Sequence, residues 1–307
     1  MLSKNKKIAL GVLIGFIVLA GFFYKARFYH FTSASSQTHG EYKRIVSLLP
    51  SITEILYALG VEDRVVGVTR FCKYPPEAQL KQHVGGVLDT NYEIVYNLEP
   101  DLILLSTNSD DQKKQLEQMG FKVLEVETRN VQGILNSIEM MGRELGVEEK
   151  AAEVTNNIRV IIDDVRAKTE HLEKPRVLVT FLRPMGEGAI RDVYVAGNHS
   201  YFSDLIEMAG AVNAYQGSAM ITSPVLSSEG ILRLDPDVII EVMNEVQHLN
   251  LNPDDVIKDW ASLSDLKAYK NKRIYLFYKD YAGIPGPRVA NALQDMAHFI
   301  HPSSPQK

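Results

Sequence analysis

Cysteine is almost absent from the 307-residue chain, and its scarcity excludes several kinds of site and scaffold. Cys72 is the single cysteine, so the chain can form no internal disulfide and cannot build a zinc or iron–sulfur centre from thiolates. Burial as a small apolar side chain is the expected fate of a lone cysteine, ahead of contact with a ligand. Stability must come from packed cores rather than from cross-links.

Long basic runs are lacking too. The chain has 33 lysines and arginines against 38 acidic residues, with a formal net charge of -5, which gives no electrostatic footprint for nucleic acid. There is no Gly-x-Ser-x-Gly elbow, no phosphate-binding Gly-rich loop ending in Lys-Ser/Thr, and no His-Glu-x-x-His pair. We therefore expect neither a nucleic-acid-binding protein nor an enzyme.

An uncharged apolar run is present near the amino terminus. It covers residues 8–24 and follows three lysines, the layout of a secretory signal or a membrane anchor. As a helix it spans roughly 25 Å, near the lower limit for crossing the hydrocarbon core. Lys25 and Arg27 directly after the run favour an uncleaved anchor over cleavage at residues 33–35. We expect an exported protein tethered to the cytoplasmic membrane, with residues 1–40 as anchor and linker.

Apolar runs of strand length alternate with helical patterns in the rest of the chain. This alternation predicts α/β lobes with mainly parallel sheets. The runs are residues 45–49, 65–68, 102–105, 123–126, 177–182, 193–196, 238–242 and 274–277.

The middle of the chain has a different pattern. Residues 147–172 contain no glycine or proline and repeat apolar residues at near-helical spacing, which predicts one helix of roughly 39 Å. We therefore predict an α/β protein with two α/β lobes joined by a single long helix and a ligand cleft between the lobes. The predicted segments are an amino-terminal lobe at 41–146, the connecting helix at 147–173 and a carboxyl-terminal lobe at 174–307.

An internal repeat supports two similar lobes. Residues 93–104 and 229–240 share Glu, Leu, Pro and Asp at matching places. In each copy a carboxylate opens a short helix, a Leu-acid-Pro-Asp group ends it, and an apolar strand follows. Solenoid periods run about 20 to 50 residues, so copies this far apart indicate two lobes. A weaker repeat, between residues 54–60 and 204–210, comes in the same order.

The duplicated carboxylates are Glu93 and Glu229. A two-fold partner presents each contact twice, so a repeated carboxylate suggests such a partner. Alternatively each one only favours the amino terminus of its helix, which contributes about 0.3 to 1 kcal/mol, and both roles can coexist. Glu54 fits a capping box with Ser51, and we expect it to be structural.

Residues 44–54, 59–61 and 65–69 resemble the opening of the helical-backbone class of ABC-transporter substrate-binding proteins. The resemblance continues to about residue 301, and its motifs are specific as a set. They are Cys72-Lys73-Tyr74-Pro75, Val84-Gly85-Gly86, the Leu98 to Asp101 group, Val195-Ala196-Gly197, Ala209-Gly210 and Gly286-Pro287-Arg288. The class includes binders of cobalamin, ferric siderophores and haem.

The resemblance implies a partner and a role for the repeated carboxylates. The partner would be an ABC permease dimer with its ATPase subunits, onto which Glu93 and Glu229 dock. No cofactor of the protein's own is implied. One departure is that no cysteine follows the apolar run, so the lipid attachment common in exported binding proteins has no acceptor there.

A metal chelate is expected between the lobes, where loops after the strands converge. From the first lobe the candidates are Thr69, Arg70, Phe71, Cys72, Tyr74, Leu88 and Asn91. From the second they are Arg183, Tyr215, Met220, Tyr281 and Arg288. Arginine suits carboxylate or catecholate chelates, although each arginine could equally form a surface ion pair. Tyrosine is an accepted axial ligand of haem iron, so Tyr74 could approach a haem.

The identity of the chelate rests on one departure from the class. Its cobalamin binders often place tryptophans against the corrin, whereas the comparable loops here carry Val87 and Ser223, and Trp260 is the chain's only tryptophan. A ferric siderophore therefore leads narrowly over haem or a corrinoid. Two alternatives stay open: a bare Zn or Mn ion, for which the histidines have no recognisable placement, and a membrane-tethered sensor or partner module that kept the fold without transport.

Overall fold

The computed structural model of the protein describes residues 42–218, 221–243 and 252–302. These residues belong to one compact unit, Tyr42–Lys307. The predicted anchor at 8–24 lies outside the described residues, and so does the candidate Met220. Within the described part of the chain, no helix has both the length and the apolar character that crossing a membrane requires.

The first sheet has the strand order β3-β2-β1-β4-β5, and every pairing in it is parallel. Its strands are β1 Ile45–Ser47, β2 Val65–Val68, β3 Gln82–His83, β4 Leu102–Ser106 and β5 Val123–Val126. Its helices are α1 Pro50–Ala58, α2 Tyr92–Asn97 and α3 Asp110–Gln118, followed by α4 Val131–Leu145. Alternate residues of β4 enter two different apolar clusters, so helices cover the sheet on both faces, as parallel sheets require.

A long helix, α5 Glu148–Thr169, follows the first lobe. Its 22 residues span about 33 Å. It ends at Thr169, four residues before the predicted end of the connecting helix at residue 173. Gly142 of α4 lies where the two helices cross, since a Cβ built there would be 2.4 Å from the Cβ of Ala151.

The second sheet has the strand order β11-β10-β6-β7-β9, with β8 also paired to β6. Its strands are β6 Arg176–Phe181, β7 Val193–Val195, β8 Val212–Asn213, β9 Val225–Leu226, β10 Val238–Val242 and β11 Ile274–Phe277. Its helices are α6 Tyr201–Met208, α7 Ser228–Leu234, α8 Pro253–Asp259, α9 Lys267–Lys270 and α10 Val289–Ile300. Strand β7 runs antiparallel to both β6 and β9, and the other pairings are parallel.

The predicted fold class is confirmed, with two α/β lobes and a long helix between them in the chain. All eight predicted strands are present within a residue or two of their expected ends. The sequence did not predict β3, β8 and β9, which have two residues each.

Helix α1 begins in a different way from the predicted capping box. Pro50 is its first residue, Leu49 is the N-cap, and no side chain caps the helix. Proline suits this position because its φ is already helical and its missing N–H would be unpaired anyway. Ser51 Oγ is buried with no partner among the described residues, and the Glu54 carboxylate binds Arg288 instead. The capping-box prediction is therefore wrong.

The sequence repeat corresponds to a repeated structure. Helices α2 and α7 have N-caps Asn91 and Ser227, and in each the side chain accepts a hydrogen bond from the N–H three residues on. Each helix is followed by an acidic residue in the left-handed region, Glu99 with φ 45° and Asp235 with φ 42°. This turn redirects the chain into the next strand.

The repeat also includes an arginine that the sequence comparison did not single out. Asp101 accepts a hydrogen bond from the backbone N–H of Arg44, and Asp237 accepts one from that of Arg176. Each arginine side chain then donates to the carbonyl of the leucine at the helix end, at 2.6 Å in the first lobe and 2.5 Å in the second. The two lobes therefore attach helix to sheet with the same set of bonds.

Candidate functional site

A cleft of about 680 Å³ opens at the carboxyl ends of strands from both sheets. Residues at or just after the ends of β4, β5, β6 and β10 reach it, because parallel strands deliver their following loops to one edge of a sheet. The lining residues are Ser106, Asn108, Thr128, Arg129, Phe181, Leu182, Arg183, Met185, Ser200, Tyr201, Phe202, Thr222, Ser223, Val242, Met243, Gly283 and Pro285. The cleft lies between the lobes, where the sequence predicted it.

The two walls of the cleft differ in chemistry. The first lobe contributes only polar side chains, namely Ser106, Asn108, Thr128 and Arg129. The second lobe contributes the apolar surface, which is made of Phe181, Leu182, Met185, Phe202, Val242, Met243 and Pro285, and it also contributes the polar residues Arg183, Ser200, Tyr201, Thr222 and Ser223. The Phe181 and Phe202 rings are in contact, with centroids 5.8 Å apart. A molecule in the cleft would meet only polar side chains on the first lobe, and on the second lobe an apolar surface with some polar groups beside it.

Arg129 is the cation of the polar wall. Its Nε lies 3.0 Å from Oε1 of Glu127, and its Nη2 lies 2.5 Å from Oε2. Hydrogen bonds from Arg129 lower the pKa of Glu127, and Thr107 contributes a further bond. This fork fixes the guanidinium at the end of β5 while about half of the side chain stays exposed.

Arg183 is the other charged residue among the described residues that line the cleft, and it is buried. Its Nε and Nη2 bind the two carboxylate oxygens of Glu241 at 2.6 and 3.0 Å, and its Nη1 binds Asp259 at 2.7 Å. Trp260 Nε1 donates to the same glutamate at 2.8 Å. The guanidinium is thus held inside the second lobe, in an ion pair that is not at the surface.

Leu182 is exposed, whereas the next residue, Arg183, is buried. It adopts a left-handed conformation, φ 50°, and 71% of it is exposed, although this region costs a residue other than glycine roughly 1–2 kcal/mol. The following segment is held by Asp259, which accepts hydrogen bonds from the N–H groups of Gly186 and Gly188. The buried ion pairs therefore fix a backbone turn that leaves Leu182 at the cleft.

Arg288 and Glu54 form an ion pair between the lobes. Arg288 Nε and Nη2 lie 2.9 and 2.6 Å from the two oxygens of Glu54 on α1, and Nη1 binds Asp280 at 2.7 Å. The guanidinium lies 3.7 Å from the ring centroid of Tyr74 and 5.2 Å from that of Tyr281. Burial raises the pKa of Glu54 despite its partner. The structure thus brings three predicted site residues together, with Tyr74 and Tyr281 against the guanidinium of Arg288.

Two other first-lobe candidates are enclosed in the core. Thr69 is fully buried and Cys72 is 1% exposed, and their Oγ1 and Sγ atoms are 3.2 Å apart. Burial raises the pKa of the Cys72 thiol. The prediction that the lone cysteine is buried is confirmed.

The remaining first-lobe candidates lie on exposed loops or cap a helix. Arg70 pairs with Asp89 at 2.8 Å and lies over the ring of Phe71, while Leu88 is 98% exposed. Asn91 caps helix α2. Gly85, between these residues in the chain, has φ +103° and brings the loop back on itself.

The second-lobe tyrosines have partners within their lobe. Tyr281 donates from its hydroxyl to Asp295 at 2.6 Å, and burial together with that carboxylate raises its pKa to about 12. Tyr215 is half-buried against the second lobe's smaller apolar cluster. Of the predicted ligand residues that the structure describes, only Arg183 belongs to the cleft lining defined above.

The repeated carboxylates are both exposed, and each is the second residue of its helix. Helix α2 connects the parallel strands β3 and β4, and α7 connects β9 to β10. A crossover helix runs back along the sheet, so its amino end lies near the carboxyl edge of the strands. Glu93 and Glu229 are therefore at the edges of the sheets where the cleft opens.

The apolar wall is the part of the site that the sequence did not predict. Phe181 and Val242 end the strands β6 and β10, and Phe202 lies in the first turn of α6. An apolar residue at a strand end is ordinarily interpreted as core, so the only available signal was that both strands end in large side chains. Within the described residues, no group of three or more His, Cys, Asp or Glu could hold a metal ion.

Comparison with known proteins gives one consistent result. A periplasmic binding protein family matches residues 45–281. An uncharacterized ABC transporter substrate-binding lipoprotein from Bacillus subtilis is 32% identical over 270 residues, which is 86% of this chain and 82% of that protein. A vitamin B12-binding protein from Vibrio cholerae is 25% identical over 261 residues, covering 84% of this chain and 89% of that one.

A solved structure agrees over nearly its full length. It is the crystal structure of a possible iron-binding, periplasmic solute-binding protein from Staphylococcus epidermidis, with a TM-score of 0.71 and 27% identity. The alignment covers 85% of this chain and 99% of that one.

Proposed function

Because the chain belongs to the periplasmic binding protein family, we propose that it is the extracytoplasmic substrate-binding component of an ABC importer and that it captures a metal chelate. The observation that carries this proposal is the cleft at the carboxyl edges of both sheets. Pockets of this volume, mostly apolar with a few placed polar groups, are typical of small-molecule sites. The relatives are binding proteins, which agrees with a transport role rather than catalysis.

The walls of the cleft favour a chelate with a broad apolar face and a polar rim. A corrinoid or haem has this character, and a relative is named for vitamin B12 binding. A strongly anionic siderophore would need several cations, whereas Arg129 and Arg183 are the charged lining residues among those described, and each is already paired with carboxylates. We therefore propose a corrinoid or haem ahead of the ferric siderophore that the sequence alone favoured.

The metal would arrive already coordinated. Zinc or manganese binding needs several nitrogen, sulfur or oxygen ligands around one point, and the described residues contain no such group. A chelate brings its own donor atoms, so the protein needs only to recognise its faces and edges. This consideration supports a chelate over the bare ion.

Glu93 and Glu229 are the residues we propose for docking to the permease dimer. Both are exposed, both occupy the second position of a matched helix, and both lie at the edges where the cleft opens. Hydrogen bonds from its own backbone N–H and from Ser227 lower the pKa of Glu229, which keeps it ionised. Paired carboxylates of this kind can meet the two halves of a two-fold partner with the same contact.

We further propose that residues 8–24 tether the protein to the outer side of the cytoplasmic membrane. The apolar run with flanking basic residues supports this role. The relative named as a lipoprotein also supports a membrane-attached protein, although here the attachment would be the peptide itself, since the single cysteine is Cys72.

A ligand panel tests the proposal directly. The detergent-solubilised full chain would be titrated with cyanocobalamin, haem, a ferric catecholate siderophore and Zn²⁺, and its unfolding transition recorded. Free ligand at a hundred times its Kd adds about 2.7 kcal/mol to stability, so one chelate is expected to raise the transition clearly. A shift with Zn²⁺ and none with any chelate would contradict the chelate proposal.

A charge placed on the apolar wall shows whether the cleft is the site. Leu182→Asp is expected to weaken binding of the chelate at least tenfold, because a desolvated carboxylate would face an apolar surface. Leu80→Asp, at a position that is 87% exposed and outside the cleft lining, is the matched control. Equal affinity in the two variants would place the ligand elsewhere.

Docking is tested separately from ligand binding. Glu93→Ala combined with Glu229→Ala is expected to abolish uptake while leaving the Kd for the chelate unchanged. Unchanged uptake in that variant would remove the docking assignment.

A further inference from the structure

An exposed apolar side chain accompanies each repeated carboxylate. Tyr96 follows Glu93 by three residues and is 62% exposed. Leu232 follows Glu229 by three residues and is 40% exposed. Residues three apart lie on the same face of a helix, so each carboxylate has an apolar neighbour about one turn further along its helix.

The two helices are held in the same rotation about their axes. Val95 and Ile231, each two residues after the glutamate, are both fully buried. A residue two positions on lies on the opposite side of a helix, so burying it turns the glutamate and the residue three positions on outward. The repeat of caps and closing bonds described above fixes the two ends of each helix in the same way.

Packing within the protein does not account for the exposed side chains. Tyr96 meets the edge of Phe121, with ring centroids 6.4 Å apart, yet most of its surface faces solvent. Apolar side chains scattered singly over a surface need no explanation. A pair at matching positions of a two-lobe repeat, each beside a carboxyl side chain, is the composition expected of an interface.

We propose that Tyr96 and Leu232 are part of the docking surface, which then consists of two matching contacts, each a carboxylate with an apolar side chain one turn on. Each contact would be received by a basic residue beside an apolar pocket on one half of the permease dimer. This inference rests on the docking role proposed for Glu93 and Glu229. In such contacts an exposed charge mainly sets the association rate and its salt dependence, whereas the apolar group mainly sets how long the complex lasts.

The experiment measures docking of the full chain to its purified importer, the permease dimer with ATPase subunits, in lipid nanodiscs at two salt concentrations. Tyr96→Ala and Leu232→Ala are each expected to raise the dissociation rate about tenfold and to leave the salt dependence as in the wild type. Glu93→Ala with Glu229→Ala is expected to reduce the salt dependence. Val160→Ala, at an exposed apolar position on α5, is the matched control and should dock normally.

Conservative variants show whether a change in docking comes from the lost apolar contact or from a loss of folding. Tyr96→Phe and Leu232→Met should dock as the wild type, and all variants should keep the wild-type Kd for the chelate. If Tyr96→Ala and Leu232→Ala dissociate like the wild type while the glutamate variant docks poorly, this inference is overturned and the docking proposal stands. If the glutamate variant also docks normally, both are overturned.

Discussion

Arg183 shows how the surroundings of one residue decide what it does. From the sequence it was a candidate to bind the ligand, because it follows a strand at the edge of the lobe. In the structure its guanidinium has Glu241 and Asp259 as partners and is almost fully buried. Its contribution to the cleft is to hold the turn that exposes Leu182.

Removing this guanidinium would leave two carboxylates buried without a cation. Arg183→Met is therefore expected to cost about 3–5 kcal/mol in the free energy of unfolding, measured by urea denaturation of the full chain in detergent. Arg70→Met, which breaks an exposed pair with Asp89, should leave the midpoint nearly unchanged. Equal losses in the free energy of unfolding would show that the buried ion pairs of Arg183 stabilise the protein no more than an exposed pair does.

The same cluster predicts how stability depends on acid. Burial opposes ionisation of Asp259, but hydrogen bonds from Arg183 and from two glycine N–H groups lower its pKa below the ordinary value of 3.8. The unfolded state then binds more protons as the pH falls past that value, so the contribution of Asp259 is present above about pH 4 and is lost below it. Asp259→Asn should be less stable at neutral pH and should lose less stability than the wild type as the pH falls below about 4. An acid transition as steep as that of the wild type would contradict this assignment.

At the scale of elements, two helical glycines have opposite surroundings. A Cβ on Gly142 of α4 would approach the Cβ of Ala151 to 2.4 Å, whereas one on Gly230 of α7 would have nothing closer than 3.7 Å. Alanine is favoured over glycine within helices by roughly 1 kcal/mol, and overpacking costs about 1–3 kcal/mol. Gly142→Ala should therefore destabilise the protein, and Gly230→Ala should stabilise it or leave it unchanged. Thermal unfolding of the two variants tests this, and a stabilised Gly142→Ala would show that α4 and α5 are not tightly packed.

The fold was predictable where the residues of one strand or helix are enough to identify it. Strands such as 102–105 are continuous apolar runs, and the long helix has no glycine or proline, so the sequence pattern identifies both. Strands β3, β8 and β9 have two residues each and no periodicity to detect. The capping box failed because Pro50 can open a helix without a side-chain cap, which moved the start one residue ahead of Ser51.

The candidate site was less predictable, because it depends on which side chains face each other across the lobes. Arg288 was identified as a strand-end arginine, but its partner Glu54 lies 234 residues away in the chain, and no local pattern joins them. The apolar wall was missed for a different reason, because its residues have the sequence pattern of core residues. Phe181 and Phe202 look like core residues in the sequence, but in the structure both line the cleft.

For the whole molecule, the ion pair between Glu54 and Arg288 connects the lobes outside the long helix. Arg288→Met leaves Glu54 buried without its cation and is expected to cost about 3–5 kcal/mol. Glu54→Gln should cost less, because Arg288 keeps Asp280 as a partner. The double variant should be more stable than the sum of the single losses implies.

Urea denaturation of the four proteins gives this coupling, and titration with the chelate adds a second readout. Arg288 follows the loop that carries Gly283 and Pro285 to the cleft, so both single variants should bind the chelate more weakly. The exposed pair of Lys168 and Asp164 on α5 provides a control cycle, in which no coupling is expected. Strictly additive losses for Glu54 and Arg288 would show that the two lobes gain nothing from the contact.

The order of the strands along the chain has a consequence for how the protein is made. Every described strand of the first sheet lies between Ile45 and Val126, and every described strand of the second between Arg176 and Phe277. A chain delivered amino end first presents the whole first sheet before any strand of the second has emerged, and domains generally fold as units in that order. Among the described residues, neither sheet takes a strand from the other lobe. The contact between Glu54 and Arg288 spans 234 residues and can form only after every described strand of both sheets has emerged, so joining the lobes there follows the formation of the two sheets.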